Sequence, residues 1–242
     1  MKSLVGSASV QKGILLAAGL VLVCSFSACN LLPGQKHEMP AIPGVNSGDK
    51  ASMEKQAKAS LDAGNEAIKS KNWVLASQEL EKAATLDPQN ADAHANLGWA
   101  YAEQKDWEKA KQHLQQAIAV DPDHAAAHAN LAWVYAEMKN WSAAQEEAKK
   151  AISLNQKNGY AHATLAWTYQ ETKQPELAIS EYEKSIELIP GLENSHLALG
   201  VLYCDQGIKT RAEEHYQHLL KLKSPKADEL AGRISKGCVS KP

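Results

Sequence analysis

The sequence lacks the features that mark nucleic-acid-binding proteins, membrane-embedded proteins and most enzymes. Its 26 Lys and Arg are matched by 28 Asp and Glu, which leaves a formal net charge of -2 and no basic excess to neutralise phosphates. Charged residues are 22% and hydrophobic residues 44% of the chain, a globular composition that excludes collagen, coiled-coil rods and polytopic membrane proteins. The chain has no glycine-rich phosphate loop, no nucleophile elbow and no cysteine beside a histidine motif. We therefore expect a non-enzymatic protein without a cofactor and without a nucleic-acid partner.

An apolar run near the N-terminus has the pattern of an export signal. Two lysines precede residues 13–23, a run too short to span a bilayer comfortably. The residues that follow, Phe26-Ser27-Ala28-Cys29, resemble the lipobox of bacterial lipoproteins, although Leu is usual where Phe26 stands. The resemblance implies that residues 1–28 are removed as a signal peptide and that Cys29 receives fatty-acyl chains such as palmitate. The alternative is an ordinary signal, cleaved near Ala28, that leaves Cys29 unmodified.

The residues after Cys29 predict where the anchored protein is held. In enteric bacteria an Asp directly after the lipidated cysteine resembles an inner-membrane retention signal, whereas this chain has Asn30. We therefore expect a lipid-anchored protein on the periplasmic face of the outer membrane. Residues 29–50 contain several prolines and glycines without apolar periodicity, which predicts a flexible tether between the lipid and a folded domain.

The remaining sequence repeats with a period of 34 residues. A shift of 34 superposes ADAHANLGWAYAEQKDWEKA on AAAHANLAWVYAEMKNWSAA, and both on GYAHATLAWTYQETKQPELA. This pattern is similar to that of the tetratricopeptide repeat (TPR) family. The resemblance implies an all-α fold, an α-solenoid of helical hairpins in which each unit buries its apolar face against its neighbours. The five units are residues 57–90, 91–124, 125–158, 159–192 and 193–226.

Positions within a unit are called places one to thirty-four, and three of them specify the hairpin. Place eight is Gly or Ala and place twenty is Ala in every unit, which lets the two helices approach closely. Proline at place thirty-two ends the second helix in three of the units. After the fifth unit, Leu230 and Ile234 predict a capping helix over residues 226–236. The array thus covers residues 51–236, and residues 237–242 form a tail.

Six tryptophans fall into two sets by place. The set at place seventeen, which we expect to pack at the turn of the hairpin, is Trp73, Trp107 and Trp141. The set at place nine is Trp99, Trp133 and Trp167, and an acidic row at place thirteen is Glu103, Glu137, Glu171 and Asp205. Places nine and thirteen share one side of the first helix. In the TPR family this side lines the concave groove where ligands lie.

The aromatic and acidic rows together predict a binding groove. Like charges at equivalent places of helices about 10 Å or less apart repel one another unless a cationic group lies among them. The predicted function is a scaffold that recruits a basic or amphipathic segment of a partner protein, a layout shared with pilotin-like lipoproteins that escort secretion or pilus subunits. Two alternatives stay open. The tryptophans could pack between first helices beside a solvated acidic face, or the groove could bind peptidoglycan or exported polysaccharide, because sugar rings stack on aromatic faces.

Histidine recurs at place four in four units, but a metal site is not predicted. Equivalent atoms one unit apart are too widely spaced to converge at about 2.1 Å on one ion. His124 with His128, and His215 with His218, have the spacing for weak chelation on a helix. No third ligand lies near either pair in the sequence, so we expect no metal.

Cys204 and Cys238 are the cysteines that remain after the signal and Cys29 are set aside, and an oxidising compartment favours a disulfide between them. They lie 34 residues apart, so they would occupy equivalent places of successive units. Such places are commonly about 8 to 10 Å apart, whereas a disulfide needs Cα atoms within roughly 7 Å. Gly237 frees the chain just before Cys238, so the sequence leaves both a disulfide and two free thiols open.

Overall fold

The computed structural model describes residues 47–238, and the chain is entirely helical in that range apart from the turns. No strand occurs among these residues, and none of their helices is both long and apolar enough to pass through a bilayer. The export signal, Cys29 and most of the tether lie outside the described residues. The helices are α1 (Ser47–Lys69), α2 (Trp73–Leu86), α3 (Ala91–Glu103), α4 (Trp107–Val120), α5 (Ala125–Glu137), α6 (Trp141–Leu154), α7 (Gly159–Glu171), α8 (Pro175–Leu188), α9 (Glu193–Asp205), α10 (Lys209–Lys221) and α11 (Lys226–Ser235).

Consecutive helices pack in pairs, from α1 with α2 to α9 with α10. The second helix of each pair also contacts the first helix of the next pair, and α11 packs against both α9 and α10. Every hairpin is therefore flanked by helices that cover its apolar side, as a repeat array requires. The predicted fold class, an all-α solenoid of five hairpins with a C-terminal capping helix, is confirmed.

The first helix is longer than the repeat period predicts. α1 begins at Ser47, so residues 47–50, which the composition assigned to the flexible tether, are helical. Asp49 lies in the first turn of α1, where a carboxylate interacts favourably with the N-terminal end of the helix dipole. Between Asp49 and Gly64 the sequence contains no proline or glycine, so nothing in it ends the helix earlier.

The small residue at place eight sets how closely the two helices of a hairpin pack. A Cβ atom added to Gly98 would lie 2.6 Å from Cγ of Leu114 and 3.0 Å from the carbonyl oxygen of Ala110. A Cβ atom on Gly64 would lie 2.6 Å from Cγ of Leu80 in the same way. Both leucines are fully buried, so a larger residue at either glycine would push the two helices apart.

A tyrosine at place eleven links each unit to the one before it. The hydroxyl of Tyr101 donates to Glu81, and that of Tyr203 donates to Glu183 over 2.6 Å. Burial, followed by the hydrogen bond to Glu183, raises the pKa of Tyr203 to about 12. In the third unit the hydroxyl of Tyr135 accepts from Gln115, and in the fourth unit Lys149 lies over the ring of Tyr169. Gln115 and Lys149 stand at place twenty-five, like Glu81 and Glu183. These contacts join the same two places at four successive junctions and fix the stacking register.

The turn inside each hairpin places a left-handed residue at place fifteen. Gly207 has this role in the fifth unit, with φ 77°. In the other four units the residue is a lysine, with φ between 56° and 62°, a conformation that glycine adopts at lower cost. The turns therefore present one exposed cation from each of four consecutive units, namely Lys71, Lys105, Lys139 and Lys173.

Candidate functional site

The two sets of tryptophans form pairs that bridge successive units. The ring at place seventeen of one unit packs against the ring at place nine of the next, with centroids 5.6, 5.9 and 5.6 Å apart. The planes of the two rings are inclined by 53°, 85° and 70°, so the rings are not stacked face to face. The pairs are Trp73 with Trp99, Trp107 with Trp133, and Trp141 with Trp167. All six side chains are half-buried.

This pairing was not predicted, because the place-seventeen tryptophans were assigned to the turn of their own hairpin. Each place-nine ring is partly covered by its place-seventeen partner. The sequence did hold a signal for the contact. The members of every pair are separated by 26 residues (99 − 73, 133 − 107, 167 − 141), and this constant offset is shorter than one period.

An exposed carboxylate accompanies each pair. Nε1 of Trp99 donates to Glu103 over 3.3 Å, and Nε1 of Trp133 donates to Glu137 over 3.2 Å. Trp167 makes no such bond to Glu171 in the described part of the chain, although the spacing is the same. We call the three sets tryptophan modules, and they consist of Trp73, Trp99 and Glu103, of Trp107, Trp133 and Glu137, and of Trp141, Trp167 and Glu171.

The fourth member of the acidic row stands apart from the modules. Asp205 forms an ion pair with Arg233 of the capping helix, so it is not one of a row of unpaired acids as the sequence suggested. Its unit has Val201 at place nine, and the unit before has Pro175 at place seventeen, so no tryptophan pair exists at this junction. The three modules thus span the first four units only.

Small residues separate neighbouring modules. Places five and twelve of the second and third units are alanines with at most 7% of their surface exposed, namely Ala95, Ala102, Ala129 and Ala136. Because these side chains do not project, the half-buried rings and the exposed carboxylates are the larger side chains beside them. Turn lysines follow the three carboxylates by two residues, and within residues 47–238 no ion pair joins these lysines to those acids.

The place-four histidines are structural hydrogen-bonding groups. Each is buried, and its Nε2 lies 3.0 to 3.2 Å from a carbonyl oxygen at place thirty-two of the preceding unit. Its Nδ1 contacts place twenty-three on the second helix of its own hairpin, which is histidine in two units and glutamate in two. The pairs are His94 with His113, His128 with Glu147, His162 with Glu181, and His196 with His215.

The histidine–histidine pairs and the histidine–glutamate pairs differ in the number of protons that the place-four ring must carry to make both of its hydrogen bonds. Because Nε2 donates to a carbonyl, Nδ1 of a neutral His196 can only accept, and it accepts from His215 with both rings uncharged. His162 faces an acceptor at each nitrogen, so both of its bonds form only when the ring carries two protons. Burial would raise the pKa of Glu181, but hydrogen bonds from Lys184 and His162 outweigh burial and lower that pKa.

The histidines with chelate spacing are engaged in other contacts. Nδ1 of His124 accepts from the backbone N–H of Ala127 and so caps α5, while its Nε2 lies 3.1 Å from Asp92. The ring of His218 stacks on His196, with centroids 5.0 Å apart. Among residues 47–238 no three His, Cys, Asp or Glu side chains are grouped so that they could hold a metal ion.

At the C-terminal end the structure joins Cys204 to Cys238 by a disulfide, with Cα atoms 4.4 Å apart. This separation is shorter than that of equivalent places on packed helices because α11 ends at Ser235 and Gly237, with φ 93°, turns the chain inward. The bond fastens the capping helix to α9, close to the ion pair between Arg233 and Asp205.

The repeated hairpins define an α-solenoid repeat protein. One sequence profile described as tetratricopeptide repeat matches residues 67–118 and 102–168, and a second profile of that description matches residues 160–191. Together the matches cover more than half of the chain, and the protein belongs to the tetratricopeptide repeat family.

Solved structures support the same fold. The chain is similar to PilF of Pseudomonas aeruginosa (TM-score 0.67, 22% identity, 76% of this chain and 85% of that one). It is also similar to a thermophilic TPR protein of Thermus thermophilus (TM-score 0.62, 18% identity, 74% and 97%) and to MamA of Desulfovibrio magneticus (TM-score 0.59, 19% identity, 71% and 97%). A search of curated proteins returned no match. At these identities the likeness extends to the fold and no further.

Proposed function

We propose that this protein is a lipid-anchored, non-enzymatic scaffold of the bacterial envelope that binds a segment of a partner protein on its first helices. The observation that carries the proposal is the threefold recurrence of half-buried tryptophans beside exposed carboxylates in consecutive units. Aromatic side chains with partly exposed faces are typical binding hot spots. TPR arrays generally act by binding protein segments, which fits the absence of a catalytic motif in the sequence.

The partner segment is basic or amphipathic. Glu103, Glu137 and Glu171 are exposed and carry no ion pair among residues 47–238, so a cationic segment would gain charge complementarity there. The apolar ring surfaces would cover the other side of such a segment. A pilotin-like role, in which the scaffold escorts a subunit of a secretion or pilus system, fits this arrangement.

Anchorage rests on the sequence Phe26-Ser27-Ala28-Cys29. Lipidation of Cys29 would hold the array at the periplasmic face of the outer membrane, because several acyl chains on one residue give stable anchorage. The test is to express Cys29→Ser and to fractionate the cells. We expect the variant in the soluble periplasmic fraction, and retention in the membrane at the wild-type level would contradict lipid anchorage.

Partner binding is tested by photo-crosslinking in living cells. A photoreactive p-benzoyl-phenylalanine replaces Ala163, on the first helix of the fourth unit, and in a matched variant it replaces Glu146, which is exposed on the second helix α6. We expect a discrete protein adduct from position 163 and none from position 146. Equal adducts from both positions, or none from 163, would contradict a partner-binding face on the first helices.

The alternative function is a carbohydrate-binding module for peptidoglycan or exported polysaccharide. It is favoured by the same half-buried indole rings, because sugars stack on aromatic faces. The crosslinked product separates the two functions: a polypeptide identified by mass spectrometry supports the scaffold, whereas a glycan adduct from position 163 supports the module.

A further inference from the structure

The geometry of each tryptophan module suits a cation. Two indoles from successive units meet at an angle, with centroids 5.6 to 5.9 Å apart, and part of each ring faces solvent. The face of an indole is electron-rich and attracts guanidinium and ammonium groups, and a carboxylate within reach adds a charged acceptor. In the first two modules the indole N–H donates to that carboxylate, which polarises the ring toward a more negative face.

The lysines and arginines of the protein itself do not pack on the tryptophan rings of the modules. In the described part of the chain the cation–π contacts are Lys109 over Tyr101, Lys149 over Tyr169 and Arg211 over Tyr203, at 4.8 to 5.7 Å. None involves a tryptophan. The indole faces and the carboxylates of the modules are therefore available to cationic groups from outside the molecule.

We propose that each tryptophan module takes one arginine side chain of a single extended partner segment whose arginines recur at every third residue. This inference rests on the proposed scaffold function and specifies its partner. The three modules lie at equivalent places of successive units, and packed helices are about 8 to 10 Å apart. An extended chain in the polyproline II conformation has three residues per turn and rises about 3.1 Å per residue, so every third side chain lies on the same side and about 9 Å further along, which matches one unit.

Arginine fits the modules better than lysine does. Its planar guanidinium stacks on an indole and still presents N–H groups to a carboxylate at its edge, whereas an ammonium is a compact, strongly hydrated charge. The nearby turn lysines Lys105, Lys139 and Lys173 also weaken the attraction for any cation that relies on net charge alone. Stacking on the rings therefore decides the affinity, and it favours arginine.

The probe is a synthetic peptide, Arg-Ser-Gly repeated five times, titrated calorimetrically into the purified full-length protein in detergent. The same peptide with citrulline in place of arginine keeps the planar shape and removes the charge. A third peptide of the same composition has its five arginines contiguous. We expect the regularly spaced arginine peptide to bind at least about tenfold more tightly than either control, a difference of about 1.4 kcal/mol.

Protein variants of equal charge change test the site. Glu103→Gln, Glu137→Gln and Glu171→Gln together remove the carboxylates of all three modules. The control removes three exposed acids elsewhere, as Glu146→Gln, Glu187→Gln and Glu229→Gln. We expect the first variant to weaken the arginine peptide about tenfold and the control to change its affinity less than about threefold. Equal losses in both variants would mean general electrostatic attraction and would overturn the proposal.

A further variant tests whether the place-seventeen tryptophans bind the partner or only pack at the turn of the hairpin. Trp107→Leu should weaken the arginine peptide about as much as Trp133→Leu, provided that circular dichroism shows unchanged helicity. Unchanged peptide affinity in folded Trp107→Leu would overturn the paired module. If either variant unfolds, the glutamine variants decide the question alone.

Failure of this inference and failure of the proposed function give different results. If the arginine peptide does not bind while position 163 still yields a protein adduct, the scaffold stands and the arginine modules are refuted. If an oligomer of N-acetylglucosamine binds instead, equally well to wild type and to the glutamine variant of the modules, both are refuted in favour of the carbohydrate-binding alternative.

Discussion

The hairpins of the N-terminal part and the last hairpin have the same backbone geometry but are stabilised differently. Each helix from α2 to α7 begins with a side-chain N-cap, and three tryptophan pairs bridge the first four units. The helices α8 to α11 have no side-chain cap and contain no tryptophan. A disulfide, the ion pair between Asp205 and Arg233 and the packing of Leu230 hold the C-terminal end instead.

The difference follows from position in the array. An interior unit is covered on both sides by its neighbours, so short local bonds and contacts between units suffice. The fifth unit has no following hairpin, and α11 covers its exposed side. A Cβ atom on Gly200 would lie 2.4 Å from a methyl group of Leu230, which shows how closely the capping helix fills the space of a missing unit.

The largest expected effect is the loss of a buried leucine from an interior unit. Leu114 and Leu230 are both fully buried and each faces a glycine. Leu114→Ala should cost about 3 to 5 kcal/mol, because flanking units prevent the cavity from collapsing, and Leu230→Ala should cost about 2 to 3 kcal/mol, because α11 can shift. Chemical denaturation measures both. The control is Val74→Ala, whose side chain is 59% exposed, with a cost below about 0.5 kcal/mol. Equal losses from Leu114→Ala and Val74→Ala would contradict the packing described here.

Reduction of the disulfide should give the next largest effect. A link between residues 34 apart stabilises a protein by about 4 kcal/mol in the chain-entropy account. The loss should be confined to the C-terminal end, with faster amide hydrogen exchange in α11 and unchanged exchange in α3 to α6. The same reductant should leave a Cys204→Ala, Cys238→Ala variant unaltered. Two titratable thiols at Cys204 and Cys238 in the denatured, unreduced protein would refute the bond, and none would support it once a non-reducing gel has excluded a dimer.

The fold could be predicted from the sequence because every unit repeats the same small residues and turns. Gly98 recurs as Gly or Ala at place eight and Ala110 recurs at place twenty in every unit, so one period specifies the whole hairpin. The contact between Trp107 and Trp133 was missed because it depends on how one unit stacks on the next, which the pattern inside a unit does not state. The ion pair of Arg233 was missed because it depends on the rotation of α11, and α11 occurs once.

The histidine pairs make individual units respond differently to acid, because the second and fifth units hold a histidine–histidine pair and the third and fourth hold a histidine–glutamate pair. Burial, followed by the nearby His196 and His218, lowers the pKa of His215 from 6.5 to about 4. Between these two pH values the unfolded chain takes up a proton that the folded chain does not. The contribution of His215 to stability is thus fully present above pH 6.5 and is lost as the pH falls toward 4. We expect the protection factors of the amides in the fifth hairpin, which correct for the pH dependence of intrinsic exchange, to be roughly tenfold lower at pH 5 than at pH 7, for a loss of about 1.4 kcal/mol.

A substitution that reproduces the histidine–glutamate pair of the third and fourth units tests whether His215 causes the acid sensitivity of the fifth hairpin. His215→Glu would give His196 a carboxylate partner like that of His128 or His162. The variant should lose less stability than wild type between pH 7 and pH 5. His218→Gln, which leaves the neutral pair intact, serves as the control and should keep most of the acid sensitivity. An unchanged pH dependence in His215→Glu would show that this pair is not its source.

The smallest expected effect transfers a helix cap from the N-terminal part to the fifth unit. Asn140 caps α6 with φ -86° and ψ 74°, and Ile208 precedes α10 with φ -90° and ψ 71°, so the backbone before α10 already has the capping geometry. Ile208 is 42% exposed, so its replacement by a polar residue also loses part of its apolar burial. In Ile208→Asn the new side chain should accept from the backbone N–H of Arg211 and make the variant about 0.5 to 1 kcal/mol more stable than Ile208→Gln, while Asn140→Ala should cost about 1 kcal/mol. Ile208→Gln loses the same apolar contact but is too long to cap in this way, so the difference between the two variants in chemical denaturation isolates the cap. Equal stabilities of Ile208→Asn and Ile208→Gln would mean that a missing side-chain cap does not distinguish the last hairpin from the others.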